Sequence, residues 1–292
     1  QNGWRGGMTR REAIASASRQ LASLSDTPRL DSELLMAHAL GLSREELLLG
    51  SLDDPQPPSF PGLLARRARR EPVAYITGSR DFWTIDLAVA PGVLIPRPDS
   101  ETLIEAAVEF FGPAEGIAPS PERILDLGTG SGALLLAALA QWPEAHGLGI
   151  DASPVALEIA RANAERLGLA ARALFVQGDW AADVSEGFDL ILCNPPYIEA
   201  SAVLPPDVMD FEPPQALFAG HDGLDAYRII VPQLSGFLNP NGMVAVEIGA
   251  TQAAAVSELF TANGLVPHIR RDLGGRDRAI VHFSLGLLEK GR

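Results

Sequence analysis

The stretch from Arg123 to Gly132 restricts the possible folds more than any other part of the chain. Arg123-Ile124-Leu125-Asp126-Leu127 has the length and apolar run of a buried parallel strand. It breaks into Gly128-Thr129-Gly130-Ser131-Gly132 and then into an apolar helix from Ala133 to Trp142. Glycines at alternate positions let the backbone turn tightly and approach a ligand closely. Strand, glycine turn and helix make the first half of a βαβ unit, so a parallel sheet covered on both faces is expected.

The pattern recurs downstream. His146 to Ile150 reads as a strand ending at Asp151, and Ser153-Pro154 opens a helix. That helix carries an apolar stripe through Ala156, Ile159, Ala160 and Leu167, with Asn163 its one polar break. Ala173 to Val176 is a third strand, ending at Gly178-Asp179-Trp180. Leu190 to Cys193, Met243 to Ile248, Leu265 to Ile269 and Ala279 to Phe283 bring the expected strands to seven, with helices on both faces. The segment from Ile198 to Asp225 exceeds ordinary loop length and is expected to form a functional lid. Pro232 lies inside the following helical pattern, where a kink is expected.

A glycine-rich βα turn followed by an acid at the end of the next strand is a nucleotide-binding pattern, the acid accepting from ribose hydroxyls. The spacing Gly128-x-Gly130-x-Gly132 differs from G-x-G-x-x-G, which disfavours a dinucleotide. Gly128 to Gly132, Asp151 and Asp179-Trp180 are expected to cradle the amino-acid end, ribose and adenine of a nucleoside, with Asp179 accepting from the adenine amino group. A simple helix-capping role for Asp151 is the plainer alternative.

The fourth strand ends abruptly in Asn194-Pro195-Pro196-Tyr197. The prolines lack a backbone N–H and have fixed φ, so the ladder stops there and leaves a rigid corner at the carboxyl end of a strand. Open α/β sheets place ligands at such ends. The Asn194 side-chain oxygen and the Pro195 carbonyl are acceptors, and the Tyr197 ring lies beside them in sequence. Such a set suits a planar –NH2 group, held through its hydrogens and stacked on the ring. A plain strand-ending turn is the alternative.

The front of the chain is different. Gln1 to Gly7 reads as a leader or expression remnant, outside the fold, and residues 8–70 as a small helical bundle. Thr9 with Glu12, and Ser43 with Glu46, form capping boxes, and Pro28 occupies a first helical position. Residues 71–95 are read as a β-hairpin linker, with Phe82 to Val89 one strand and Pro91-Gly92 the turn, and residues 96–292 as the main domain. In Pro96-Arg97-Pro98-Asp99-Ser100-Glu101, the prolines either hold Arg97 in place or make a rigid helix entry capped by Asp99 or Ser100. The cluster Arg66, Arg67, Arg69 and Arg70 is either a solvated helix face or a contact for an acidic partner or RNA-like element.

Charge narrows the partners. Residues 1–87 carry 11 basic and 11 acidic side chains, so the net −14 belongs wholly to the remainder, with 12 against 26. A strongly acidic domain is a poor match for a polyanion, and no direct nucleic-acid binding is expected. Cys193 is the single cysteine, which excludes a disulfide within the chain and fits a reducing cytoplasm. Five scattered histidines offer no metal-ligand spacing, so no metal is expected, and no run reaches the ~18 apolar residues of a membrane span.

Asp126-Leu127-Gly128-Thr129-Gly130-Ser131-Gly132 followed by Asn194-Pro195-Pro196-Tyr197 resembles the class I S-adenosylmethionine-dependent methyltransferases that alkylate amide or exocyclic amino nitrogens. More narrowly, the chain from Met8 onward resembles the peptide chain release factor N5-glutamine methyltransferases. The supporting stretches are Pro28 to Leu35, Pro72 to Gly78, Leu94 to Glu101, Phe211 to Leu217 with Gly223, Leu224, Tyr227 and Arg228, and Asp272 to Arg278. Ser100 stands where that family is expected to carry Thr. The resemblance implies a seven-stranded Rossmann-like methyltransferase sheet of class α/β, with a small N-terminal helical bundle that helps dock the substrate. It implies that Gly128, Thr129, Gly130, Ser131, Gly132, Asp151, Asp179, Trp180 and Asn194 bind S-adenosylmethionine, leaving S-adenosylhomocysteine after transfer. It implies that Asn194, Pro195, Pro196 and Tyr197 hold and activate the glutamine of the Gly-Gly-Gln loop of a release factor. A cytoplasmic monomer without a membrane partner is expected. Two rival readings are a nucleic-acid base N-methyltransferase, which needs a basic groove, and a non-catalytic cofactor-binding protein.

Overall fold

A computed structural model describes residues 7–112 and 118–284; of the leader read at residues 1–7, all but Gly7 lies outside them. The chain divides into two compact units. The first holds the residues up to Ser79 together with Leu204–Phe211, and the second holds Arg80–Val203 and the residues from Glu212 onward.

In the first unit, α1 (Arg10–Leu21) and α3 (Arg44–Leu49) start at the two expected capping boxes, where Thr9 and Ser43 each accept from the backbone N–H three residues on. α2 (Pro28–Leu40) ends at Gly41, whose φ of 68° is the left-handed conformation that glycine adopts without cost. α4 (Phe60–Ala68) and α5 (Val73–Thr77) complete the bundle. Ile14, Ala17, Leu35, Met36, Leu47 and Phe60 form its core.

Two of the four arginines of the cluster, both on α4, are engaged within the bundle, whereas Arg69 is exposed beyond the helix end. Arg67 is 5% exposed and pairs at 2.8 Å with Asp31, itself buried. Arg66 forms a two-pronged bond with Glu71. These two cations serve the bundle internally. The tip of the long 198–225 segment also belongs to this unit: α9 (Pro206–Met209) brings Asp207 to within 3.8 Å of Arg67.

The second unit opens with a hairpin whose turn differs from expectation. β1 (Ser79–Phe82) and β2 (Ile85–Ala88) are separate strands, and the chain turns at Trp83-Thr84 with Trp83 at φ 54°. The alternation from Phe82 to Val89 concealed the turn because it lacks Gly, Asn or Pro at its centre. Pro91-Gly92 lies in the loop that follows.

The main sheet has seven strands in the order β5-β4-β3-β6-β7-β9-β8. β3 (Arg123–Leu127), β4 (His146–Asp151), β5 (Ala173–Gln177), β6 (Phe188–Cys193) and β7 (Leu238–Glu247) run parallel, and β9 (Asp277–Phe283) is antiparallel to both β7 and β8 (His268–Arg271). Successive side chains of a strand point to opposite faces. Accordingly, Ile124, Leu190 and Leu192 join one core with α6 (Glu101–Phe111), α7 (Ala133–Gln141) and α8 (Pro154–Arg166). Leu125, Ile191 and Cys193 join the other with α10 (Asp225–Phe237) and α11 (Ala253–Ala262). α10 runs through Pro232 as one helix.

The strand order reverses between β3 and β6. Chain-adjacent β4 lies on one side of β3, and β6 on the other. Open α/β sheets form their ligand crevice at such a reversal, outside the carboxyl ends of the strands. Leu127 is the register partner of Cys193. The glycine turn and the proline corner, separated by more than sixty residues of sequence, therefore leave the sheet side by side.

Candidate functional site

A cavity of about 220 Å³ occupies this crevice. Gly128, Thr129, Gly130, Ser131, Asp151, Asp179, Trp180, Asn194 and Pro196 line it, together with Ser100 and, from the long segment, Pro213, Gln215 and Ala216. Of the residues predicted from sequence, Gly132, Pro195 and Tyr197 do not line it. Gly132 instead starts α7 at φ 83°, where a Cβ would meet Leu136 Cδ1 at 2.9 Å. Its missing side chain lets the helix pack.

Gly128 requires glycine because its φ of 72° is left-handed; an added Cβ would make ordinary contact with Trp180 Cζ3 at 3.4 Å. The indole therefore stands over the turn, itself held at a strained φ of 52°. Asp151 is not the cap of α8, which is Ser153. One carboxylate oxygen accepts from Gly130 N and the other from Ser153 N, each at 2.8 Å. The acid thus ties the glycine turn to the head of α8 and still lines the cavity. Asp126, beneath the turn, accepts from the Thr129 hydroxyl at 2.7 Å and Leu135 N at 3.3 Å. Its Oδ1 is buried without a hydrogen-bond partner. Burial raises its pKa to about 7, against the pull of its bonds to Thr129 and Leu135.

At the proline corner, Asn194 Nδ2 donates to Ser100 Oγ at 3.1 Å. The donor end of the amide is thereby engaged and its Oδ1 remains an acceptor. Tyr197 is anchored at both ends. Its hydroxyl donates to Glu247 Oε1 at 3.2 Å, and its carbonyl accepts from Gln252 Nε2 at 3.0 Å. Gly223 makes this possible, since a Cβ there would lie 2.3 Å from the Tyr197 carbonyl oxygen. Burial, and then the Glu247 charge, push the Tyr197 phenol well above its ordinary pKa, so it stays protonated and donates.

Comparison with known proteins bears on this arrangement. Residues 12–78 match the PrmC N-terminal domain, and residues 120–273 match a methyltransferase domain. The chain is 47% identical over 262 residues to a release factor glutamine methyltransferase of Rhodospirillum rubrum, covering 88% of this chain and 79% of that protein. The chain belongs to the release factor glutamine methyltransferase family. A Caulobacter vibrioides protein of the same name is 43% identical, with 88% and 89% of the two chains covered. Among solved structures, a Pyrococcus furiosus methyltransferase superposes with a TM-score of 0.53 at 18% identity, covering 76% of this chain and 98% of that one, which is a likeness of fold.

Five residues of this family member's site escaped sequence reading in the roles they hold. Ser100 was assigned to capping, yet it makes no side-chain cap bond at α6 and instead accepts from Asn194. Arg97 is held, but by Glu212, which also accepts from Ile95 N at 3.1 Å. Asn163, read as a break in a stripe, is fully buried, bonds Ala88 through both its carbonyl and amino ends, and donates at 3.0 Å to the Ser131 carbonyl. Gln252 carried no sequence signal. Glu247 was visible only as a strand end.

Proposed function

We propose that this protein transfers a methyl group to the side-chain N5 of the glutamine in the Gly-Gly-Gln loop of peptide chain release factors. The observation that carries the reading is the engaged Asn194 amide: Nδ2 on Ser100 leaves Oδ1 as an acceptor at the ligand crevice, the polarity that a substrate –NH2 requires.

The residues present fit S-adenosylmethionine. Gly128, Thr129, Gly130 and Ser131 give a turn stripped of bulk, Asp126 keeps one buried oxygen unpaired beneath it, and Asp151, Asp179 and Trp180 follow at the next strand ends. These residues would hold it, with Asp151 toward the ribose and Asp179-Trp180 toward the adenine. When bound, S-adenosylmethionine supplies a methyl group on a positively charged sulfur, ready for displacement at carbon.

The chain's own task is to make an amide nitrogen attack. That lone pair is conjugated with its carbonyl, so the nitrogen is a poor nucleophile. Acceptors on both N–H bonds, Asn194 Oδ1 and the Pro195 carbonyl, favour a geometry in which the pair points away from the amide plane. They also stabilise the positive charge that grows on nitrogen. The pre-set corner contributes by orientation, because Pro195 and Pro196 have no freedom in φ and Tyr197 is fixed at both ends. The N-terminal unit is assigned to docking the release factor, and the chain to the cytoplasm.

Tandem mass spectrometry of a release factor incubated with the protein and S-adenosylmethionine tests the reading. One methyl on the glutamine side chain of the loop is expected; a methyl on any other atom contradicts it.

A further inference from the structure

Glu247 is a carboxylate at the end of β7 with 1% of its surface exposed. Its Oε1 accepts from the Tyr197 hydroxyl at 3.2 Å, whereas Oε2 is buried with no hydrogen-bond partner. Its backbone carbonyl accepts from the Tyr227 hydroxyl at 2.9 Å. Ser100, 3% exposed, lies beside the carboxylate and favours its ionised form. A fully buried charge with an orphaned oxygen is expensive to keep and calls for a reason.

The reason follows from the direction of the bonds. An asparagine amide has an acceptor end and a donor end, and a flip exchanges them with almost no change in shape. For Asn194 Oδ1 to meet a substrate –NH2, Ser100 Oγ must accept from Nδ2. Its own proton must then go elsewhere, and the ionised Glu247 is the acceptor beside it. We propose that Glu247 is a positioning residue: its buried carboxylate accepts from the Tyr197 hydroxyl and its orphaned Oε2 is the acceptor for the Ser100 hydroxyl, which fixes which end of the Asn194 amide faces the substrate. This rests on the functional reading given above.

A pH dependence follows. Burial raises the Glu247 pKa to about 7, opposed by Ser100, Arg278 and Tyr197 and reinforced by Asp99. Once protonated, the group becomes a donor. Ser100 or Tyr197 must then accept, and the Asn194 amide loses its imposed orientation. Turnover is therefore expected to fall as pH drops through about 7. The other ionisable groups facing Glu247 keep their charge there: Arg278 is paired with Asp99 at 3.0 Å and Asp272 at 3.2 Å, and burial holds the phenols of Tyr197 and Tyr227 and the Cys193 thiol protonated. Asp126 titrates in the same range, so the acid limb must be assigned with variants.

The test compares wild type, Glu247→Gln, Ser100→Ala and the double variant in methyl transfer to a purified release factor, with kcat, KM and pH profile measured for each. A glutamine at 247 can donate to Ser100, so kcat is expected to fall about 10- to 100-fold, in line with loss of a preorganised polar group. KM for the release factor and the Kd for S-adenosylmethionine should stay within about twofold, and the acid limb should shift or vanish in both single variants. The double variant should be no worse than Ser100→Ala alone, because both act through one bond. An additive double variant, or an unchanged acid limb in Ser100→Ala, overturns the positioning role even if Glu247→Gln fails to fold. Loss of transfer by wild type itself would instead sink the functional reading beneath it.

Discussion

Asn194 and Ser100 lie 94 residues apart in sequence and 3.1 Å apart in space, joined by a bond that turns the Asn194 acceptor toward the crevice. The corner at the end of β6 supplies the amide, and the start of α6 supplies its partner. Each is unremarkable alone, and together they define a polarity.

Asn194→Ala removes that acceptor. Turnover should fall by on the order of 10²-fold or more, as for one preorganised group aimed at developing charge. Steady-state methyl transfer checks it, with cofactor affinity measured alongside to separate binding from chemistry.

Gly128→Ala should weaken S-adenosylmethionine binding and destabilise the protein by about 1–2 kcal/mol, the cost of a left-handed alanine. The added methyl would reach ordinary contact distance from Trp180, at 3.4 Å, in the cavity lining. Calorimetric titration and urea melts read the two effects separately.

In the helical bundle, Arg67→Ala leaves Asp31 buried without its ion-pair partner at 2.8 Å. Breaking a buried pair from one side typically costs about 3–5 kcal/mol. The bundle should unfold at markedly lower urea, followed by far-ultraviolet circular dichroism, and Asp31→Asn should also destabilise it.

Legibility in the sequence followed from the range of the interactions. The seven-stranded sheet could be read because each strand is a short apolar run punctuated by Gly, Pro or Asp, and the cavity-lining turn because its glycines are consecutive signals. The Trp83 turn was missed because a bulky residue occupies its left-handed position. Ser100, Gln252 and Glu247 were missed for another reason. Their partners lie 94, 55 and 50 residues away, and periodicity carries no information about such pairs. Arg67 misled because composition cannot tell a solvated cation from one paired with Asp31.

Asp126 gives a pH dependence of stability. Its folded pKa is raised from 3.8 to about 7, so the folded state holds its proton more tightly than the unfolded chain. That contribution is complete below about pH 4 and is lost as pH rises through about 7. Wild type should therefore lose stability relative to Asp126→Asn across this window. Urea midpoints of the two proteins at a series of pH values provide the check.

The central claim is the identity of the methylated group. Methyl-labelled S-adenosylmethionine should be incubated with the protein and purified release factor, alongside a factor whose Gly-Gly-Gln glutamine is replaced by alanine, and total RNA. Label on the unaltered factor alone is the predicted result. Label on RNA, or equal label on the alanine variant, would contradict it.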